Sequence, residues 1–423
     1  MSQAPHRLFE QACDQSKGLA TFDEVQKLLR DHIGIAADTH TIDLKDASGA
    51  VLAQDILSPR NVPAFTNSAI DGYAFAHASL EASNRQLEVT QEIFAGKTPQ
   101  TALKPGEAAR IFTGAVMPEG ADTCLMQENA TIEGKTLTVP QGIKQGANTR
   151  QAGEDLKSGD LVVGKGTRLR ASELGAIATT GIDKIVCRKP LKVAILSTGD
   201  EVIRPGQDLQ PGQIYDSNFH LLNGLAKSSD IILDDIGVLA DDEELIFSTI
   251  KKLSQSHDVI LSTGGASVGD KDFIIAAMQE LGILRSWKIA IKPGRPLAIG
   301  QIGKAAFLGL PGNPVAAFNI WLLFVLPAFA YLQGANWSPP QRFPIAAGFA
   351  LPGKKTGRRE FLRGWIEQGE NGPIARKFER DGSGLISSLT RATGLIELAE
   401  DVTEVKPGAS VNFIPFSAFG ITS

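Results

Sequence analysis

The chain has 423 residues, 43% hydrophobic and 21% charged, the profile of an ordinary globular protein of roughly two to four domains. Its net charge of -5 excludes a general attraction to nucleic acid or an anionic membrane, so any bound anion must be held by local groups. Cys13, Cys124 and Cys187 lie too far apart for a disulfide framework or a metal knuckle, and the six histidines are scattered. That usage argues for a reducing cytoplasm and against zinc or iron–sulfur chemistry.

The first residues, MSQAPHRLFEQACDQSKG, are polar and lack the apolar middle of a signal peptide. TFDEVQKLLRDHI then opens with a capping box, Thr21 and Glu24, ahead of a periodic apolar stripe, which predicts a helix. From about Val51 to Arg170 short β-like runs such as LEVTQEIF and TLTVP alternate with Gly and Pro turns. ASELGAIATT predicts a helix with Ser172 or Ala171 near its cap.

At Pro190 apolar strands begin to alternate with helices: LKVAILSTG, FHLLNGLAKSS, DIILDDIGVL, DEELIFSTIKKLSQS, DVILSTGG and FIIAAMQELG, with WKIAIKPG and AFLGLPGN as further strands. Near-continuous apolar strands between helices predict a parallel sheet covered on both faces. WLLFVLPAFAYL is read as too short for a membrane span and as interrupted by Pro327. After NWSPPQRFP the β texture returns and runs to VKPGASVNFIPF. The expected fold is multidomain, α/β and β. Residues 1–50 with 141–189 form an elongated linking domain, 51–140 a β-rich domain, 190–335 a doubly wound α/β domain, and 336–423 a small β-barrel-like domain.

ILSTG occurs twice, starting at Ile195 and Ile260, each time as an apolar strand running into Ser-Thr-Gly and then acids. In open α/β sheets ligands bind at the carboxyl ends of strands, where hydroxyls and glycine-freed N–H groups cradle anions. The first copy is followed by Asp200 and Glu201, the second by Asp270 and Asp272. Oxygen-only donors of this kind suit Mg²⁺, although an Asp-Glu pair at a strand end equally fits a helix cap in solvent. Asp241 and Asp242 have the same two readings, since acids favour a helix N-terminus. Lys288 and Lys292 are four apart, which on one strand places them on one face and suggests a bound anion, or two side chains reaching from an edge strand. Arg295 follows them, and GLPGNPVAAF is a rigid loop opening a helix near Asn313. In the β-rich part, PAFTNSAIDGYAFA carries Asn67, Ser68 and Asp71, Thr113-Gly114 repeats the strand-to-Thr-Gly device, and AGED carries Glu154 and Asp155. The basic loop KKTGRREFLRG is either a solvated face or a phosphate contact.

Taken in order, NSAIDGYA, IFTGAVMPEGAD, AGED, STGDE, PGQIYDSN, STGGASVGDKDF, IKPGRP and GLPGNPVAA closely resemble the MoeA-type molybdopterin molybdenumtransferases of molybdenum-cofactor biosynthesis, relatives of the gephyrin E domain. The resemblance implies an enzyme that takes adenylylated molybdopterin and molybdate, inserts the metal into the dithiolene and releases AMP with Mg²⁺. It implies no haem, flavin, zinc or iron–sulfur group. It assigns Asp200, Glu201, Asp241 and Asp272 to the divalent ion or the nucleotide end, and Lys288 and Lys292 to phosphate or oxyanion. Pro311 and Pro314 would shape that wall, with Ser197, Thr198, Gly264, Gly265 and Ser267 in the substrate cradle. Arg363 and Ser387 would hold molybdate or the pterin phosphate, and Asp71, Thr113 and Asp155 match polar positions of the β-rich region. It further implies a cytoplasmic homodimer whose site is completed by the β-rich region of the other subunit. Its partners would be the preceding molybdopterin adenylyltransferase and the acceptor molybdoenzymes, with neither nucleic acid nor membrane. Thr66 stands where Asp is frequent, Arg295 where Lys is common, and Thr263 and Ala266 vary the second glycine motif, but no carboxylate or lysine of the expected site is lost. The rival readings are an adenylyltransferase-like nucleotide enzyme on the α/β module and a non-catalytic scaffold on the same fold.

Overall fold

In the computed structural model, residues 19–227, 229–264 and 273–421 are described. Helix α1 (Phe22–His32) is closed by the expected box: Glu24 N–H donates to the Thr21 hydroxyl and Thr21 N–H to the Glu24 carboxylate. Strand β1 (Thr39–Asp43) leads towards the β-rich region. That region holds β2 (Gly72–Phe75), β3 (Gln86–Ile93), β4 (Glu107–Ile111), β5 (Thr123–Met126), β6 (Thr131–Glu133) and β7 (Thr136–Thr138), in the sheet order β5-β2-β4-β3-β7-β6. Helix α2 (Ala171–Thr179) starts at Ala171, next to its cap Arg170, whose N–H and guanidinium both donate to Glu173. Strand β8 (Lys184–Arg188) returns antiparallel to β1.

The next sheet contains β9 (Leu191–Thr198), whose carboxyl end leads into a two-residue pairing of β10 (Val202–Ile203) with β11 (Ile214–Tyr215). It continues through α3 (Ser217–Ala226), β12 (Ile231–Leu239), α4 (Glu243–Ser256), β13 (Val259–Thr263), α5 (Phe273–Leu281) and β14 (Ile283–Lys288). After β15 (Ile291–Lys292) come β16 (Pro296–Ile302) and β17 (Ala305–Leu310), giving the order β12-β9-β13-β17-β16-β14. The first four strands are parallel, and the hairpin of β16 and β17 adds an antiparallel edge.

Side chains on a strand alternate between faces, and here both faces are dry. Leu191, Val193 and Ile195 join one core with α3 and the helix after β17, whereas Ala194 and Leu196 join the other with α4 and α5. That helix after β17 departs from the sequence reading. Segment α6 (Pro314–Ile320), a π-helical turn (Trp321–Val325) and α7 (Leu326–Leu332) form one 19-residue run, long and apolar enough by composition to cross a membrane but 94% buried inside the protein. Pro327 does not break it, because the π turn precedes a new first turn in which a proline needs no N–H partner.

The last part contains β18 (Phe343–Ala347), β19 (Arg359–Gly369), β20 (Gly372–Lys377), α8 (Ser387–Arg391), β21 (Gly394–Leu398) and β22 (Ser410–Pro415). The strand order β19-β20-β18-β22-β21 closes through a β19–β21 pairing, so the barrel-like domain is a closed five-stranded sheet. Helix α1 docks between this barrel and the α6–α7 run. Phe22 lies edge-on to Phe324 and against Phe361, and Arg359 sits over the Phe22 ring while binding Asp23 and Glu400.

Candidate active site

The two ILSTG copies lie side by side as the carboxyl ends of β9 and β13, offset by one residue: Ser197 pairs with Thr263, not with Ser262. One residue of offset exchanges faces. Ser197 and Thr263 therefore share a face with α3, and their hydroxyls lie 2.9 Å apart. Ser197 also donates to Asp216 at 2.6 Å. Asp216 is 4% exposed, caps α3 by accepting from Phe219 N–H at 3.0 Å, and lies 3.5 Å from Arg204. The Ser197 hydroxyl thus braces the wall of the crevice from within. The sequence reading missed Asp216; its place before Ser-Asn at a helix start is the cap signal that could have found it.

Above this wall the glycines shape the rim. Gly199 has φ +128°, and a Cβ there would come within 2.7 Å of the Glu201 carboxylate, which folds over it. Gly264 has φ +87°, with the Thr198 carbonyl oxygen 3.1 Å from where a Cβ would stand. Asp200 accepts from Asp241 N–H at 3.1 Å, while Asp242 caps α4 through Leu245 N–H at 2.8 Å. Asp200, Glu201 and Asp241 are therefore gathered at one exposed rim, and Asp242 is the helix cap. Gly265, Ser267, Asp270 and Asp272 lie outside the described residues. Among the described residues no three Asp, Glu, His or Cys side chains converge as a closed cation cage. The adjacent Asp200 and Asp241, all-oxygen and open to solvent, fit a hard cation that keeps waters and takes further oxygens from a phosphate.

The lysine pair is arranged otherwise than the sequence suggested. Lys288 ends β14 and Lys292 lies in β15, which leaves the sheet to pair in parallel with β19 of the barrel. Between them Ile289 N–H turns to the Arg295 carbonyl and Ala290 N–H to Ala20. Pro293 and Pro296 have no N–H to extend the ladder, so the even spacing does not define one strand face. The crossing creates a cavity of about 410 Å³ between the α/β sheet and the barrel. Lys292, Arg295, Arg358 and Arg363 line it with Pro311 and Asn313, against the single acid Asp381. Lys292 stands 3.4 Å from Glu360, a buried carboxylate. Arg363 is 3% exposed and donates to Ser388 at 3.0 Å; burial pulls its pKa down, opposed by Asp381. Ser387 is exposed on α8 and does not line this cavity. Pro314 opens α6 at the cavity's edge.

The basic loop divides between two tasks. Buried Lys354 donates to the Arg358 carbonyl at 2.8 Å, and Arg359 turns away to Asp23 and Glu400, which leaves Arg358 and Arg363 at the cavity.

In the β-rich sheet Asp71 Oδ1 accepts both the N–H and the hydroxyl of Thr113 at 2.8 Å. The Thr113 N–H first, then its hydroxyl and the charge of Arg110, hold the Asp71 carboxyl below its ordinary value. Asp155 sits on the neighbouring loop, with its N–H on the Val62 carbonyl. Among the described residues no hydrogen bond or ion pair joins this group to the α/β crevice.

Comparison with known proteins matches residues 20–181 to the MoeA N-terminal region (domain I and II), 194–331 to a probable molybdopterin binding domain, and 348–416 to the MoeA C-terminal region (domain IV). The molybdopterin molybdenumtransferase of Haemophilus influenzae is 37% identical over 402 residues, 94% of this chain and 99% of that one. The chain belongs to the MoeA family. The Bacillus subtilis molybdopterin molybdenumtransferase is 30% identical over 90% of this chain and 91% of its own length. A crystal structure of the MoeA protein of Pyrococcus horikoshii superposes with a TM-score of 0.80 at 31% identity, over 94% of this chain and all of that one. Like the MoeA relatives it matches, the chain is an enzyme of molybdenum-cofactor biosynthesis acting as a molybdopterin molybdenumtransferase.

Proposed function

We propose that the enzyme inserts molybdenum from molybdate into adenylylated molybdopterin and releases AMP, with Mg²⁺ as cofactor. The observation that carries this is the cavity where the α/β sheet meets the barrel, lined by four cations against Asp381, with the buried Glu360 behind Lys292. Molybdate is a tetrahedral dianion, and Lys292, Arg295 and Arg358 supply N–H donors from several directions, with the buried Arg363 behind them. Lys288, exposed at the end of β14, would approach the phosphates from the sheet side. Pro311 and Pro314 keep the wall rigid, so the donors hold their positions while charge develops.

Release of AMP requires a water or molybdate oxygen to bond to a phosphorus of the pyrophosphate as its phosphorus–oxygen bond breaks, and the electron pair stays on the departing oxygen. Asp200 and Asp241, with Glu201 beside them, would hold Mg²⁺ together with Asp272. When bound, it supplies charge neutralisation for the phosphate oxygens. Thr198 and Gly264 at the two strand ends would cradle the phosphates, with Gly265 and Ser267. Asp71, Thr113 and Asp155 would serve the substrate from the β-rich region of a second copy, in a cytoplasmic homodimer. The four-part division of the chain is proposed with this arrangement.

The test is AMP release from adenylylated molybdopterin, with and without molybdate, by the wild type and by Lys292→Ala and Arg358→Ala. Molybdate-dependent release whose half-saturating molybdate rises at least tenfold in both variants is expected. Release that ignores molybdate, or variants with unchanged molybdate dependence, would remove the cavity from the reaction.

A further inference from the structure

The β-rich sheet carries a second feature beside Asp71 and Thr113. Strands β3 and β4 are parallel neighbours that end level, with Ile93 opposite Ile111. The next residue of the first and of the second strand, Phe94 and Phe112, therefore stand side by side. Their rings stack with centroids 4.8 Å apart and 9° between planes. The Arg110 guanidinium lies 4.8 Å from the Phe112 centroid and 5.0 Å from that of Tyr73. Its position is fixed by the Gly72 carbonyl at 3.2 Å and by the Gln127 side chain. A ladder of three rings and one guanidinium is thus built at the end of a sheet, yet Phe94 keeps 50% of its surface open. A flat ring covered on one side by another flat ring presents its other side to planar ligands, as in the aromatic platforms that hold nucleobases.

The neighbouring acceptor narrows the class of ring. Thr113 follows Phe112 directly and occupies Asp71 Oδ1 twice, and among the described residues nothing bonds to Oδ2. A pteridine of the 2-amino-4-oxo type carries N3–H and a 2-amino group on one edge, and these two neighbouring donors can converge on the two lone pairs that Oδ2 keeps. Adenine has no such pair. We propose that the Phe94–Phe112 stack with Asp71 binds the pterin ring of the substrate, Asp71 accepting from its donor edge. This deepens the transferase reading and rests on it for the identity of the substrate. Phe94, Phe112 and Arg110 become binding residues for the ring, separate from the cationic cavity.

The experiment titrates the full-length protein with fluorescent 6-hydroxymethylpterin and follows quenching, with guanosine and adenosine as competitors. Saturable quenching, displaced by guanosine and not by adenosine, is expected. Phe94→Leu keeps an apolar side chain at a half-exposed position, so folding is preserved and checked by melting temperature. It should weaken binding by roughly five- to a hundredfold, the effect of losing one ring from a stack, and Asp71→Asn should abolish the preference for guanosine. Absence of saturable quenching up to millimolar pterin, binding by Phe94→Leu within twofold of wild type, or equal competition by adenosine would overturn the site. AMP release assayed in parallel separates the two ideas. Pterin binding lost in Phe94→Leu, with no molybdate-dependent AMP release by wild type, keeps the ring site and sinks the transferase chemistry. Normal AMP release with unchanged KM in Phe94→Leu does the reverse.

Discussion

Replacing Ser197 by Ala removes a hydroxyl that donates at 2.6 Å to a carboxylate only 4% exposed. A hydrogen bond to a charged group is worth about 1.5–3 kcal/mol, and the loss is felt in full because water cannot enter to replace it. Asp216 would keep the Phe219 N–H and the more distant Arg204, while Thr263 loses its hydroxyl neighbour. For a unit of the size of the α/β domain, about 2–4 °C per kcal/mol translates this into a fall of roughly 3–12 °C in its melting transition. Scanning calorimetry of wild type and Ser197→Ala measures it, and AMP-release kinetics on the same samples report the site. If the transition stays within about 1 °C while KM for the pterin substrate rises, the hydroxyl serves the ligand and the bracing described here is wrong.

Gly199→Ala should destabilise by about 1–3 kcal/mol, since φ +128° is a region left almost entirely to glycine and the new Cβ meets Glu201. Gly206→Ala, at φ +97° in open space, carries the backbone cost alone, so a denaturant midpoint lower in Gly199→Ala than in Gly206→Ala measures the displacement of Glu201. Burial holds the Asp230 carboxyl above its ordinary value against the pull of Arg168 and His40. The folded state therefore binds this proton more tightly than the unfolded chain. Its stabilising contribution is present below about pH 4 and is lost as pH rises through the raised value. Asp230→Asn should gain on wild type between pH 4 and pH 7, and melting-temperature differences that are equal at both ends would refute the sign. Gly72→Ala should disrupt the sheet under the aromatic ladder, because its Cβ would fall 1.9 Å from the Leu125 carbonyl oxygen. Loss of β-sheet circular dichroism below the wild-type melting temperature checks it.

Periodicity made much of the α/β sheet readable. The runs Val193–Leu196 and Val259–Leu261 are apolar at every position because both faces are covered, and their Ser-Thr-Gly ends mark where the chain leaves the sheet. The capping box at Thr21 was equally plain, being a purely local device. What local pattern could not carry was register and destination. The one-residue offset between the ILSTG copies is decided by the strands' neighbours, and it turns Ser197 from a cradle candidate into a brace on Asp216. Lys288 and Lys292 have the spacing of a strand face, yet the backbone between them bonds to Ala20 and Arg295, partners far off or across a turn. In KKTGRREFLRG every basic residue looks alike. Only the barrel's closure sorts Arg358 and Arg363 towards the cavity, and Lys354 and Arg359 towards backbone and acids. The π turn that admits Pro327 into a continuous helix left no mark that composition could reveal.

Helix α1 shows its apolar side, Phe22, Val25 and Leu29, to partners made much later: the α6–α7 run and barrel strand β19. The guanidinium that covers Phe22 and binds Asp23 belongs to Arg359. On the ribosome, at about 5–20 residues per second, the helix waits on the order of tens of seconds before its seat exists. Until those partners are made α1 is an amphipathic segment without its seat, and docking on a neighbouring nascent chain competes with docking on its own barrel.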